Sequence, residues 1–133
     1  MANVLYDKGR EGILDGTVDM TGDVRAMLVK NTYTFSAIHE DLADITSGND
    51  NGRSAALGSK TYTSGVFDAA DTSLTATAAV ASNALVLYQH TGTDATARLI
   101  AYIDSATGLP VTPSAGQTVN ITWDNGVNKI FKL

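Results

Sequence analysis

The chain of 133 residues contains no cysteine, two prolines, two histidines and one tryptophan, and only two of its 14 acidic residues are glutamate. Without cysteine there is no disulfide and no thiolate ligand, which suits folding in a reducing cytoplasm. The first dozen residues carry Asp7, Lys8, Arg10 and Glu11, so they lack the apolar stretch of a signal peptide. No apolar run approaches the roughly 20 residues that span a bilayer. A soluble protein made in a cytoplasm, with no membrane partner, is the expectation. Charge is also scarce, at 17% of residues against roughly 25% in ordinary domains. The nine basic residues are scattered under a net charge of -5, which leaves no footprint for a phosphate backbone and argues against nucleic acid as a partner.

Aspartate and threonine stand in place of what is missing. Twelve Asp favour turns and caps over helix interiors, and seventeen Thr suit a pleated surface. A surface poor in charge also resembles the centre of protein interfaces. At this length one domain, residues 1–133, buries roughly two-thirds of its unfolded surface without staples.

Two short helices are expected in the N-terminal third. One lies within Asn3–Gly16, with Asp7 as N-cap, Gly16 as stop, and Tyr6, Ile13 and Leu14 on one side. Gly9 and Gly12 weaken it by about 1 kcal/mol each relative to alanine. The second spans Ser36–Ile45, where Ile38, Leu42 and Ile45 recur at helical spacing behind a Ser36 cap. Between them, residues 23–35 predict a strand with two apolar faces. Residues 46–59 predict a loop, and the cluster Gly48–Gly52 is expected to be mobile or to make a surface contact.

From residue 59 the pattern is β. A strand over 59–69 is interrupted at Gly65, which predicts a bulge. Leu74, Ala76, Ala78 and Val80 alternate with polar residues, a half-buried strand. The runs "ALVLYQH" and "ARLIAYID" flank "TGTDAT" and predict a hairpin of two central strands. Pro110 and Pro113 confine the next loop to the outside of the sheet. Short strands at this spacing predict an all-β sandwich rather than an α/β sheet.

In "TVNITWDNGVNKIFKL", Asn125-Gly126 is a strong hairpin signal. A two-residue turn sets Ile121 opposite Ile130 but also Trp123 opposite Asn128, and a longer turn changes that register. The final strand pairs either within this molecule or with a neighbour.

Chemistry has little to work with. His39 lacks the second histidine of a zinc protease, and His90 is most simply a structural or solvated side chain. Asp104 and Asp124 sit near strand ends, where turn chemistry accounts for them better than an acid-base pair. "SGNDNGR" lacks the ligand series and closing Glu of a calcium loop, and the spacing of Asp15, Asp19 and Asp23 crosses two glycines. The triplet "NIT" at Asn120 and the single Trp123 carry simpler readings, chance and core packing. No catalytic, cofactor or metal site is expected.

The segments "YDKGREGILDG", "RLIAYIDSATGLPVTP" and "WDNGVNKIFKL" resemble small virion proteins of tailed bacteriophages, whose better-described kin are capsid cement or decoration proteins. The resemblance implies a jelly-roll-like antiparallel β-sandwich. It would sit on the outer surface of the capsid, bridge neighbouring subunits of the major capsid protein, and dimerise or trimerise, having assembled in the bacterial host cytoplasm. Contact candidates on that reading are Tyr6 and Arg10, the loop with Asn49, Asp50 and Arg53, and the last strand with Phe131 and Leu133. A competing expectation is a tail- or fibre-associated module that recognises a host carbohydrate; the loops "GNDNG", "TGTDAT" and "SATGLPVTPSAG" offer no aromatic platform for it. A small hydrolase would have to rely on unplaced Asp residues.

Overall fold

The computed structural model describes residues 3–45 and 47–133, so Thr46, at the start of the expected 46–59 loop, lies outside them. The described chain runs β1 (Val4–Leu5), α1 (Asp7–Asp15), β2 (Val24–Lys30), β3 (Asp50–Arg53), β4 (Val66–Phe67), β5 (Thr72–Thr75), β6 (Ser82–Gln89), β7 (Leu99–Ile103), β8 (Thr118–Ile121) and β9 (Phe131–Lys132). Single 3-10 turns occupy Leu42–Ile45, Ser47–Asn49, Thr63–Gly65 and Asp94–Thr96. The molecule is mostly β and its strand pairs are antiparallel, as its composition predicts.

A five-stranded sheet of order β1-β7-β6-β2-β3 forms the middle layer. Because β2 and β6 are apolar on both faces, they can only sit inside it, covered on both sides. Val24, Ala26 and Leu28 of β2, with Leu85 and Leu87 of β6, face one core cluster. Met27 and Val29, with Ala84, Val86 and Tyr88, face the other. The first face is roofed by two antiparallel ribbons, β5–β8 and β4–β9, which bring down Leu74, Val119, Ile121, Phe67 and Phe131. The second is roofed by Tyr6 and by the excursion carrying Tyr33, Phe35, Leu42 and Ile45. The expected hairpin of "ALVLYQH" and "ARLIAYID" is β6–β7.

Helix α1 ends at Gly16, in the left-handed region at φ 83°, as expected. Asp7 is its first residue and not its cap; Tyr6 precedes it with no side-chain cap. Gly9 is a contact and not merely a weakness. A Cβ there would lie 2.7 Å from the Ile100 carbonyl oxygen, so the helix rests directly on the backbone of β7. Tyr6, Ile13 and Leu14 do not share a side: Tyr6 is buried under one face, Ile13 packs against the other, and Leu14 is 85% exposed.

Four further expectations are corrected. Ser36–Ile45 is not a helix. Residues 40–42 pair with the strand leading into β7, through Leu42 N–H to Ala97 O (3.0 Å) and Leu99 N–H to Glu40 O (2.8 Å). The Asp44 carboxylate accepts the N–H groups of Glu40 and Asp41, and Ile38 is exposed. Gly65 ends a 3-10 turn at φ 78° rather than forming a bulge. Asn125-Gly126 makes no hairpin, because β8 pairs with β5 and β9 with β4. The cluster at 48–53 is not a loose loop but a 3-10 turn followed by edge strand β3.

Candidate interaction surface

The predicted contact residues fall into three places. Asn49, Asp50 and Arg53 lie together and are committed to internal bonds. Arg53 makes a two-pronged bond to Asp94 (2.9 Å each), reaches Asp50 at 2.9 Å, and lies over the Tyr88 ring. That pairing holds the Asp94 carboxyl below the usual range and pushes the Arg53 guanidinium up. Asn49 accepts from the Thr32 hydroxyl and donates to Ile45 O.

Asn51, within the same turn-like stretch, is fully buried. Its Oδ1 accepts from the N–H groups of Thr77 (3.1 Å) and Ala78 (2.9 Å), and its Nδ2 donates to the Ser82 hydroxyl (2.9 Å). Gly52, at φ 116°, lets β3 pass so near that a Cβ would lie 2.3 Å from Thr75 O. The densest turn signal in the sequence therefore encodes the seam between the sheet and the β5 ribbon.

Tyr6 is a core residue, not a contact. It has no exposed surface, and its hydroxyl meets the Tyr33 hydroxyl at 2.8 Å, which in turn meets His39 Nδ1 at 2.9 Å. Phe35 and Tyr102 pack around this chain. Burial pushes the Tyr6 and Tyr33 phenols up.

Arg10, Phe131 and Leu133 belong to the remaining place, the neighbourhood of β9. This strand is held by β4 through Phe67↔Phe131 and Val66↔Lys132, with Leu133 N–H bonded to Gly65 O at 3.0 Å. Its partner is thus within the chain. Phe131 stacks on Phe67 with ring centres 5.2 Å apart. On one side of β9 runs an apolar groove of about 200 Å³ lined by Ile13, Met20, Tyr62, Val66, Phe131 and Leu133. On the other lies a hollow of about 330 Å³ whose rim carries Arg10, Lys129 and Lys132. Large apolar side chains are left exposed at Leu14, Ile38, Tyr62, Val127 and Leu133, and all but Ile38 lie on segments bordering β9. Ile13, Met20, Tyr62, Lys129 and Lys132 were not among the expected contact residues. They come from separate segments, and only the spacing of Lys129 and Lys132 around the strand is visible in sequence.

Among the described residues, no three His, Asp or Glu side chains gather where a metal ion could be shared. His90 packs edge-on to Tyr88, and Trp123 is buried with its indole N–H on Ala70 O at 3.0 Å. Among the described residues no helix is long and apolar enough to cross a membrane. No protein-family model matches the chain, and no curated protein or solved structure matches it significantly.

Proposed function

We propose that this protein is an adhesive structural component of a phage virion. In this reading it binds the outer surface of the capsid and bridges neighbouring major capsid subunits, as a jelly-roll-like sandwich that acts as a dimer or trimer. What carries the reading is the neighbourhood of β9, together with the resemblance of three sequence segments to small virion proteins. The exposed Tyr62 and Leu133 side chains, an apolar groove and Arg10, which has no carboxylate partner among the described residues, lie there together. Contiguous exposed apolar surface rimmed by polar groups marks an interaction site. The work is mechanical: a protein that binds the assembled lattice better than free subunits adds its binding free energy to the stability of the shell. Many weakly held copies suffice, because attachment at several points raises effective concentration.

Co-sedimentation tests this. Purified protein mixed with shells that lack it should pellet at a fixed ratio to the major capsid protein and raise the temperature at which the shells come apart. Protein that stays in the supernatant at saturating concentration would refute the proposal.

A further inference from the structure

We infer that the hollow beside β9 is a receptor for an acidic protein segment, a short stretch of a partner chain with carboxylates set around an apolar side chain. This rests on the adhesive reading above and names the chemistry of the surface that it meets. Three of the nine cations, Arg10, Lys129 and Lys132, line this one hollow against a single carboxylate, Asp124. The protein as a whole carries -5, so the hollow has the opposite sign to the rest of the molecule.

Four of the other six cations, Lys8, Arg25, Arg53 and Arg98, each face a carboxylate; Lys30 and Lys60 stand apart from one another on other segments, and Lys60 is bonded to Gly22 O. Among the described residues Arg10 and Lys132 have no carboxylate partner, and Asp124 is turned to the N–H of Gly126 at 3.2 Å. Three cations gathered around one carboxylate leave an excess of positive charge, and a bound anion relieves the repulsion among them.

The hollow is also built rather than incidental. Lys129 is one of three non-glycine residues at positive φ among the described residues, at 48°, a strained conformation that is kept only where the surroundings impose it. Its ammonium is bonded to the Asn125 side chain. Asn3 locks one wall with four bonds: Nδ2 to the Ser105 hydroxyl and Ile130 O, and Oδ1 from the N–H groups of Asp104 and Ser105. Leu5, Ile130 and Phe131 form an apolar floor. That floor favours a peptide with an apolar side chain between its acids over a bare phosphate, which has no use for it.

The test uses the full chain, isotope-labelled, titrated with a synthetic octapeptide of Asp and Glu around one Leu. Its Asn/Gln counterpart and inorganic phosphate serve as comparisons. The acidic peptide should shift the Arg10 side-chain N–H and the backbone amides of 129–132 to saturation. The neutral peptide should not, and raising salt from about 50 to about 500 mM should weaken binding at least about tenfold. Arg10→Glu with Lys132→Glu should abolish the shifts without moving the unfolding temperature. Equal shifts with phosphate, or shifts centred elsewhere, would overturn the inference. Shell binding separates it from the proposed function. If shells take up wild type and the double variant equally, the acidic-segment receptor is wrong and the adhesive role stands. If the peptide binds the hollow while shells take up neither protein, the receptor stands and the capsid role falls.

Discussion

The two faces of the central sheet are sealed by different chemistry. Beneath the ribbons, the core of Val24, Leu28, Leu85, Leu87, Ile103, Ile121 and Phe131 is aliphatic and aromatic hydrocarbon, and Trp123 packs within it. Beneath the excursion from β2, the core holds Tyr6, Tyr33, Tyr88 and Tyr102, and its roof closes through a hydroxyl chain that ends on His39. The first seal depends mainly on area and shape, with the Asn51 bonds at its β5 seam, and the second on directed bonds that run from the buried Tyr6 to the partly buried His39. The roof of the first face also carries β9 and its two concavities. On the proposed capsid role, adhesion would fall to the outer surface of this roof and architecture to the other.

Truncating the hydrocarbon face should cost most. Leu87→Ala removes a fully buried side chain in mid-sheet and should lower unfolding free energy by about 2–5 kcal/mol, read by urea denaturation. A loss under 1 kcal/mol would mean that the ribbons collapse into the space and pack more loosely than described.

The seam comes next. Asn51→Ala strips partners from the buried Ser82 hydroxyl and the part-buried N–H groups of Thr77 and Ala78 and should cost about 1–3 kcal/mol. Faster amide exchange confined to 75–82 would identify the seam as the part that opens.

Third is the aromatic face. Tyr6→Phe should cost about 1 kcal/mol, the net value of a buried hydrogen bond. It should also change the response to alkali. The Tyr6, Tyr33, Tyr88 and Tyr102 phenols are all raised, chiefly by burial. A raised group contributes stability that is complete below its unfolded pKa, near 10, and lost as pH climbs above it. Stability of the wild type should therefore fall above pH 10, and less steeply in Tyr6→Phe; identical slopes would place the sensitivity elsewhere. In acid, Asp94 and Asp23 are held low by Arg53 and Arg25, so their contributions are present above the ordinary carboxylate pKa and disappear as pH falls through the folded values. Asp41, raised by burial, works in the opposite sense.

The smallest effect on stability belongs to Leu133→Ala, within about 0.5 kcal/mol, because its side chain is 57% exposed. Its effect on shell binding should be the larger one, measured as a change in the concentration for half-saturation. A variant that unfolds early but binds normally would reverse the roles assigned to the two roofs.

The middle layer was legible because its pattern has one solution. Strands β2, β6 and β7 are apolar on both faces, and only central strands bury both. Leu74 alternating with Ser73 and Thr75 likewise fixed β5 as half-buried. Three features were illegible because distant partners override local signals. Leu42 and Ile45 keep helical spacing, yet Ala97 takes the Leu42 N–H. Asn125-Gly126 offers a turn, but Val119 and Ile121 are paired by β5 and Phe131 by β4, which leaves a loop between them. Asn51 has the composition of a surface turn and the environment of a core hub. The groove and the hollow need α1, residues 62–66 and β9 side by side, and no single window of sequence contains that.

Hydrogen–deuterium exchange on the protein free and bound to shells puts the central claim at most direct risk. Protection confined to residues 10–20, 62–67 and 124–133, with 33–45 exchanging at the same rate in both states, is the predicted result. Protection centred on 33–45, with the β9 neighbourhood unchanged, would contradict it.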